Sequence, residues 1–375
     1  MHPGTLDTAD RPLVLIWELT QACGLACDHC RADAQLDRHP DELSTTDGKR
    51  LLEDAAAFGE GQLVVLSGGD PLVRDDVEEL IAYGDELGLR MTITPSGTQS
   101  LTADRIRGLA DAGLKRMAVS LDGASPETHD AFRGEDGSFA ETIRAVEDAK
   151  AAGLPVQVNT TVCRQTVGEL PDIRSLLREI GAVMWSVFFL VPVGRGAILE
   201  PIDPDEADAV MAWLDEVSDE EPFGLKTTEA PQYRRVSMQR QRRERDRQRD
   251  GDDSRPNDGV RRRTGIIAGD GFAFVSHTGE VFPSGFLPKS AGNVLETPVT
   301  EIYRESSLFE SLRDRDQLTG KCGACQYRTV CGGSRSRAFA HAGDPRASDP
   351  LCPFVPDGYD GPLPWNTSET VSTGD

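Results

Sequence analysis

Lysine is nearly missing from this chain of 375 residues: it supplies six of the 40 basic side chains, and arginine supplies the rest. Against them stand 63 acidic side chains, giving a formal charge of −23. Such a field argues against a nucleic-acid partner. Heavy use of Asp and Glu with little Lys predicts a hydrated, halophilic surface, on which high salt screens self-repulsion. No apolar run approaches the ~20 residues of a membrane span, so no membrane role is expected. Met1–Asp10 shows neither the basic nor the apolar part of a secretory signal, so a cytoplasmic setting is expected. Cysteine is also sparse, yet seven of the eight fall into two local groups. Without an export signal, such grouping points to metal or redox chemistry rather than to disulfides.

What is present is a regular alternation. Short runs rich in Val, Ile and Leu occupy residues 13–19, 63–66, 90–94, 116–121, 156–162 and 184–190. They are apolar on both faces, as parallel strands covered by helices should be. Helical stretches are expected between them at 45–58, 75–87, 102–112, 138–152 and 167–180. Several open on Ser, Thr or Asp and close near Gly88, Gly113, Gly153 or Gly181. Six β–α units predict an α/β fold, a partial (β/α)6 barrel spanning 13–220, with its working end at the strand C-termini. Residues 1–12 are expected to be a flexible terminus. Residues 203–218 form one more helix. Within the linker 221–264, residues 232–263 hold twelve arginines, a helix expected to fray into a mobile loop near 250–258. A small cysteine-rich module at 265–356, opening on a hairpin around His277-Thr278-Gly279 and containing a helix at 300–314, and a disordered tail at 357–375 complete the layout.

Cys23, Cys27 and Cys30 lie within eight residues, directly after the first strand. Three thiolates leave one iron of a four-iron cube without a protein ligand, the open position needed to bind a small molecule. Zinc held by the three thiolates and His29 is the alternative. C-x3-C-x2-C after a first strand resembles the signature of radical S-adenosylmethionine (SAM) enzymes, and further segments match that family in order. Gly68-Gly69-Asp70-Pro71 resembles its Gly-Gly-Glu motif, with Asp where Glu is commoner. Ser96 lies in a Thr-Asn-Gly-like turn, Ser120 and Asp122 look like the Ser-x-Asp pair, and Asn159 and Arg195 end the fifth strand and follow the sixth. The resemblance implies that Cys23, Cys27 and Cys30 hold a catalytic [4Fe–4S] cluster and that these other residues bind SAM. It also implies reductive cleavage of SAM to a 5′-deoxyadenosyl radical that takes hydrogen from substrate.

Cys322, Cys325, Cys331 and Cys352 form the second group, whose spacing alone also suits a zinc ribbon. C-x2-C-x5-C followed by Gly332-Gly333 resembles the SPASM extension of radical SAM enzymes, which carries auxiliary clusters. Cysteines of the full pattern are missing at Ser284 and around Ser334, so one auxiliary [4Fe–4S] cluster with four protein ligands is implied. The segment from Cys331 to Pro353 is similar to the haem-biosynthetic subgroup, whose members decarboxylate iron-coproporphyrin or modify sirohaem derivatives. The implied partners are an iron tetrapyrrole and a reductase or ferredoxin. Arg195, Arg234, Arg235, Arg335 and Arg337 are candidates to meet substrate carboxylates, and His277 and His341 to meet the iron. A peptide-modifying maturase and a SAM-inactive scaffold or electron carrier are the rival functions. Cys163 is expected to be a buried apolar thiol.

Overall fold

The computed structural model describes residues 7–249 and 266–365. The expected loop at 250–258, the arginines beyond it and residues 366–375 of the expected tail lie outside the described residues.

Alternation along β1 (Val14–Thr20) sets the frame. Leu15, Trp17 and Leu19 enter the main apolar core, so Ile16, Glu18 and Thr20 take the opposite face of the sheet. β2 (Leu63–Gly68), β3 (Arg90–Ile93), β4 (Arg116–Ser120), β5 (Val156–Val162), β6 (Met184–Phe189) and β7 (Gly224–Thr228) follow in parallel register. Helices α1 (Thr45–Ala56), α2 (Val77–Glu86), α3 (Ala103–Asp111), α4 (Pro126–Arg133), α5 (Ser138–Ala151), α6 (Leu170–Ile180) and α7 (Pro204–Ser218) connect them. The helices bury apolar stripes such as Leu51, Leu52 and Ala55 of α1 against the strands. α8 (Gln232–Arg249) begins the arginine-rich stretch.

β8 (Phe272–Val275) and β9 (Val281–Phe282) form the expected hairpin, but it is not free-standing. β8 pairs in parallel with β1, giving one nine-stranded sheet in the order β7-β6-β5-β4-β3-β2-β1-β8-β9. The strand that precedes the first cysteines is therefore flanked on both sides. The helix expected over 300–314 is broken at Ser306 into α9 (Val299–Glu305) and α10 (Ser307–Arg313), because the Ser306 side chain caps the second piece. α11 (Gly320–Ala324) and α12 (Arg335–Ala342) complete the cysteine-rich region.

Candidate cluster and cofactor site

The loop after β1 is pinched at its base, where Cys23 N donates to Gln35 O at 2.8 Å and Gln35 N donates to Gln21 O at 3.0 Å. Within it, Cys23, Cys27 and Cys30 gather with Leu25 and Ala34. Backbone N–H groups of Leu25 and Ala34 point at the sulfurs of Cys23 and Cys30, at 3.3 and 3.4 Å, and Ser96 Oγ lies 3.3 Å from the Cys23 sulfur. Burial pushes the Cys27 thiol up, reinforced by the negative charges of Cys23 and Asp122 and opposed by Arg133. Arg195 straps the loop from outside: its N–H meets Cys30 O, its Nε meets Cys27 O at 3.0 Å, and its Nη1 meets Ala34 O at 3.1 Å.

The glycine motif acts on the same loop. A Cβ on Gly69 would lie 2.4 Å from Ala22 O and 2.6 Å from Gln21 O, and the Gly69 and Asp70 N–H groups bond to Thr20 O and Ala22 O. Close backbone packing between the ends of β1 and β2 therefore requires glycine here. Gly68, at φ +144°, faces Thr20 in the same way, and Pro71 opens the short turn that follows. Asp70 is turned inward: its carboxylate accepts from Leu72 N and Ser96 N, and burial raises its pKa. Gly69→Ala is expected to cost about 1–3 kcal/mol by overpacking. Iron incorporation at the triad should fall, as checked by thermal unfolding and iron analysis.

Ser120 ends β4 in register with Asn159, which lies in the middle of β5 rather than at its end, and Asn159 accepts from Gln157 at 2.7 Å. Asp122 is buried; its Oδ1 accepts from Thr161 N at 2.7 Å, while Oδ2 has no hydrogen-bond partner. Sequence reasoning missed what stands next to that oxygen. α4 is a polar helix whose signals are its Ser125 cap, Pro126 and the left-handed Gly134. It brings in buried Arg133, 3.6 Å from Asp122 Oδ2, and Phe132, stacked on the His29 ring at 4.7 Å. Burial lowers the His29 and His129 pKa values to about 4, so both are neutral near pH 7. Buried atoms without a partner, Asp122 Oδ2, His29 Nδ1 and Arg195 Nη2, surround the triad. Three thiols, a carboxylate oxygen open to accept and N–H groups of His29 and Arg195 open to donate fit a cluster with a zwitterionic co-ligand such as SAM.

The second group fits a cluster as well. Cys322, Cys325, Cys331 and Cys352 line one cavity of about 350 Å³, a volume that includes its open mouth. N–H groups of Asp349, Tyr327 and Gly333 each lie 3.4 Å from a sulfur, contacts of the kind that tune cluster potentials. Burial raises the Cys325 and Cys331 thiols and pushes Cys352 up to about 11. A bound metal would therefore have to displace protons. Gly333, at φ +70°, packs its α-carbon against the Cys322 sulfur and Arg335. Among the described residues, no three His, Cys, Asp or Glu side chains converge closely enough to hold a single ion. Zinc would draw its ligands to about 2.3 Å, whereas a cube takes one thiolate per iron.

Ser284 and Ser334, the two positions where cysteines are missing, both donate to the Glu229 carboxylate, and Ser336 joins them at 2.9 Å. Glu229 has a φ of +55°, a conformation held by this network. Two of the arginines expected to face substrate are occupied elsewhere. Arg335 is fully buried and donates to Pro345 O and Ala347 O, both at 2.8 Å. Arg337 pairs with buried Asp349 at 3.2 Å and donates to Phe189 O, Leu190 O and Glu229 O. Arg337 binds the cysteine-rich region to the ends of β6 and β7, while Arg335 braces that region from within. Arg235 pairs with Asp208 and reaches to 3.9 Å from the Cys352 sulfur, and Arg234 donates to Val330 O. Arg337→Ala should cost about 3–5 kcal/mol, because it leaves Asp349 buried and uncompensated; denaturant unfolding measures this. Cys163 is buried, beside Phe132, Leu190 and Leu199.

The profile of the Radical SAM superfamily matches residues 17–177. AdoMet-dependent heme synthase of Nitratidesulfovibrio vulgaris is 40% identical over 359 residues, covering 94% of this chain and 96% of that protein. The protein of the same name from Methanosarcina barkeri is 40% identical over 346 residues, covering 92% and 97%. Among solved structures, SuiB of Streptococcus suis bound to S-adenosylmethionine superposes with a TM-score of 0.72 at 17% identity, over 92% of this chain and 78% of that one. The chain belongs to the radical SAM superfamily, in the group that contains the AdoMet-dependent heme synthases.

Proposed function

We propose that this enzyme converts propionate side chains of an iron tetrapyrrole, iron-coproporphyrin, to vinyl groups with loss of CO2. The observation that carries this reading is the 40% identity to proteins named AdoMet-dependent heme synthase, over 92–94% of this chain and 96–97% of theirs. In this reading Cys23, Cys27 and Cys30 hold a [4Fe–4S] cluster, and SAM lies against the ends of β2 to β6. When bound, cluster and SAM supply a reducing electron and a hydrogen-abstracting carbon radical. Asp122 Oδ2, which faces Arg133 at 3.6 Å but accepts no hydrogen bond, and Arg195 Nη2 take the charged ends of SAM. Ser96 and Ser120 line the strand ends, Asn159 lies beside Ser120, and the backbone of Gly68, Gly69, Asp70 and Pro71 shapes the wall beside Cys23.

Each propionate gives up one hydrogen atom, one CO2 and one electron to become a vinyl group. Cys322, Cys325, Cys331 and Cys352 would hold an auxiliary [4Fe–4S] cluster, which supplies a one-electron site. A reductase or ferredoxin serves as electron donor. No described helix is long and apolar enough to cross a membrane, in keeping with a small tetrapyrrole delivered from solution. The test is anaerobic incubation of reconstituted protein with iron-coproporphyrin, SAM and reductant. Mass spectrometry should show loss of CO2 and two hydrogens per propionate, with 5′-deoxyadenosine formed alongside. Formation of 5′-deoxyadenosine with no change in the tetrapyrrole would move the substrate assignment to another molecule.

A further inference from the structure

We infer that His277 is an axial ligand to the iron of the bound tetrapyrrole, an assignment that rests on the substrate proposed above. Glu18 lies in the middle of β1, on the face opposite the core residues Leu15, Trp17 and Leu19, and is 3% exposed. A carboxylate there carries a desolvation cost that an apolar residue would not. Stability does not explain its presence. Both oxygens are engaged: Oε2 accepts from Arg31 Nη2 at 2.8 Å, and Oε1 accepts from His277 Nδ1 at 2.9 Å. Arg31 alone would neutralise the charge, so the imidazole has a second reason to be there.

The Arg31 guanidinium, 2.8 Å from Oε2, pairs with the Glu18 carboxylate. A carboxylate acceptor places a hydrogen on His277 Nδ1, and in the neutral ring this leaves a lone pair on Nε2. Nε2 has no hydrogen-bond partner among the described residues, and it is not a sealed atom; the side chain keeps 10% of its exposure. A histidine held at one nitrogen by a carboxylate and open at the other is the arrangement that aims imidazole at a metal.

The surroundings suit a flat macrocycle next to the triad. Arg31 directly follows Cys30, so one carboxylate joins His277 to the cysteine loop. The Arg31 guanidinium lies over the ring of buried Phe274 at 4.6 Å, and Phe274 stacks on Phe282 at 6.1 Å, which leaves half-buried Phe282 as the aromatic surface. His341, the other histidine considered for this role, is exposed at the end of α12. His39 packs its ring edge-on against His277 at 5.4 Å, and its Nδ1 is occupied by Asp41 N.

The test uses reconstituted full-length enzyme labelled with nitrogen-15 in histidine only, mixed with ferric iron-coproporphyrin and examined by pulsed electron paramagnetic resonance. A histidine nitrogen coupled to the iron is expected. It should persist in His39→Gln, vanish in His277→Gln, and be replaced by an unlabelled nitrogen when imidazole is added to the His277→Gln protein. Glu18→Gln should retain the coupling and weaken tetrapyrrole binding by roughly 10- to 100-fold. Wild-type enzyme that decarboxylates iron-coproporphyrin without any coupled histidine would overturn the ligand assignment alone, and needs no variant to fold. Coupling that survives in His277→Gln would do the same. Wild-type enzyme that neither binds nor converts iron-coproporphyrin would instead overturn the proposed function, and the ligand with it.

Discussion

Cys27→Ala is expected to reduce 5′-deoxyadenosine formation to background and to lower iron from about eight to about four per chain. The thiol is buried, and removing it leaves a cavity beside Leu25 and the Arg133 guanidinium. Burial opposes the charge on Arg133, and the nearby Cys27 and Asp122 charges sustain it. A missing thiolate therefore does more than drop one iron ligand. It also removes the Cys27 charge from those that sustain a cation 9% exposed, leaving Asp122, Cys23 and Cys30 around it. Serine at the same position should restore the volume without restoring SAM cleavage, which separates ligation from packing. Iron and acid-labile sulfide analysis with product chromatography provide the check. Retained SAM cleavage in Cys27→Ala would remove the triad from the mechanism.

Cys331→Ala should divide the reaction in two. With the amino-terminal site intact, 5′-deoxyadenosine is still formed, while decarboxylated tetrapyrrole falls on the order of 10²-fold, because the substrate-derived electron has lost its acceptor. Iron should again fall by about four per chain, this time at the second site. Zinc in the unaltered protein, at one ion beside four irons, would replace the auxiliary cluster with a structural ion. Arg335 and Arg337 hold this region by bonds that do not involve the Cys331 sulfur, so the variant is expected to stay folded. Ordinary secondary-structure content by circular dichroism, together with lost product, is the combination to look for.

How much of this was legible beforehand follows from which residues carry their signal in apolar pattern. The six strands from Val14 to Phe189 appeared because their Val, Ile and Leu runs are apolar on both faces. β7 escaped because Gly-Leu-Lys-Thr-Thr holds one strongly apolar residue. α4 and α12 escaped because each buries arginine, and a sequence pattern assigns arginine to the surface. The same bias made Arg335 and Arg337 look like substrate contacts when they are internal braces. The cysteine groups and Gly68-Gly69 stood out by spacing. The reason for the glycines did not, since it lies in backbone contacts between β1 and β2. Nor could pattern alone show that the hairpin at His277 continues the main sheet, because strand pairing is a property of the fold.

That pairing governs when the site can exist. Glu18 and His277 are 259 positions apart in the chain. At ribosomal speeds of roughly 5–20 residues per second, the interval between them is on the order of tens of seconds. All three amino-terminal cysteines emerge early, but the neighbour that completes their strand is among the last parts of the sheet to be made. A nascent or truncated chain can thus present the full cysteine triad while one edge of β1 is still bare. Cluster loading during synthesis would meet an unfinished wall, and loading after release would meet a closed one.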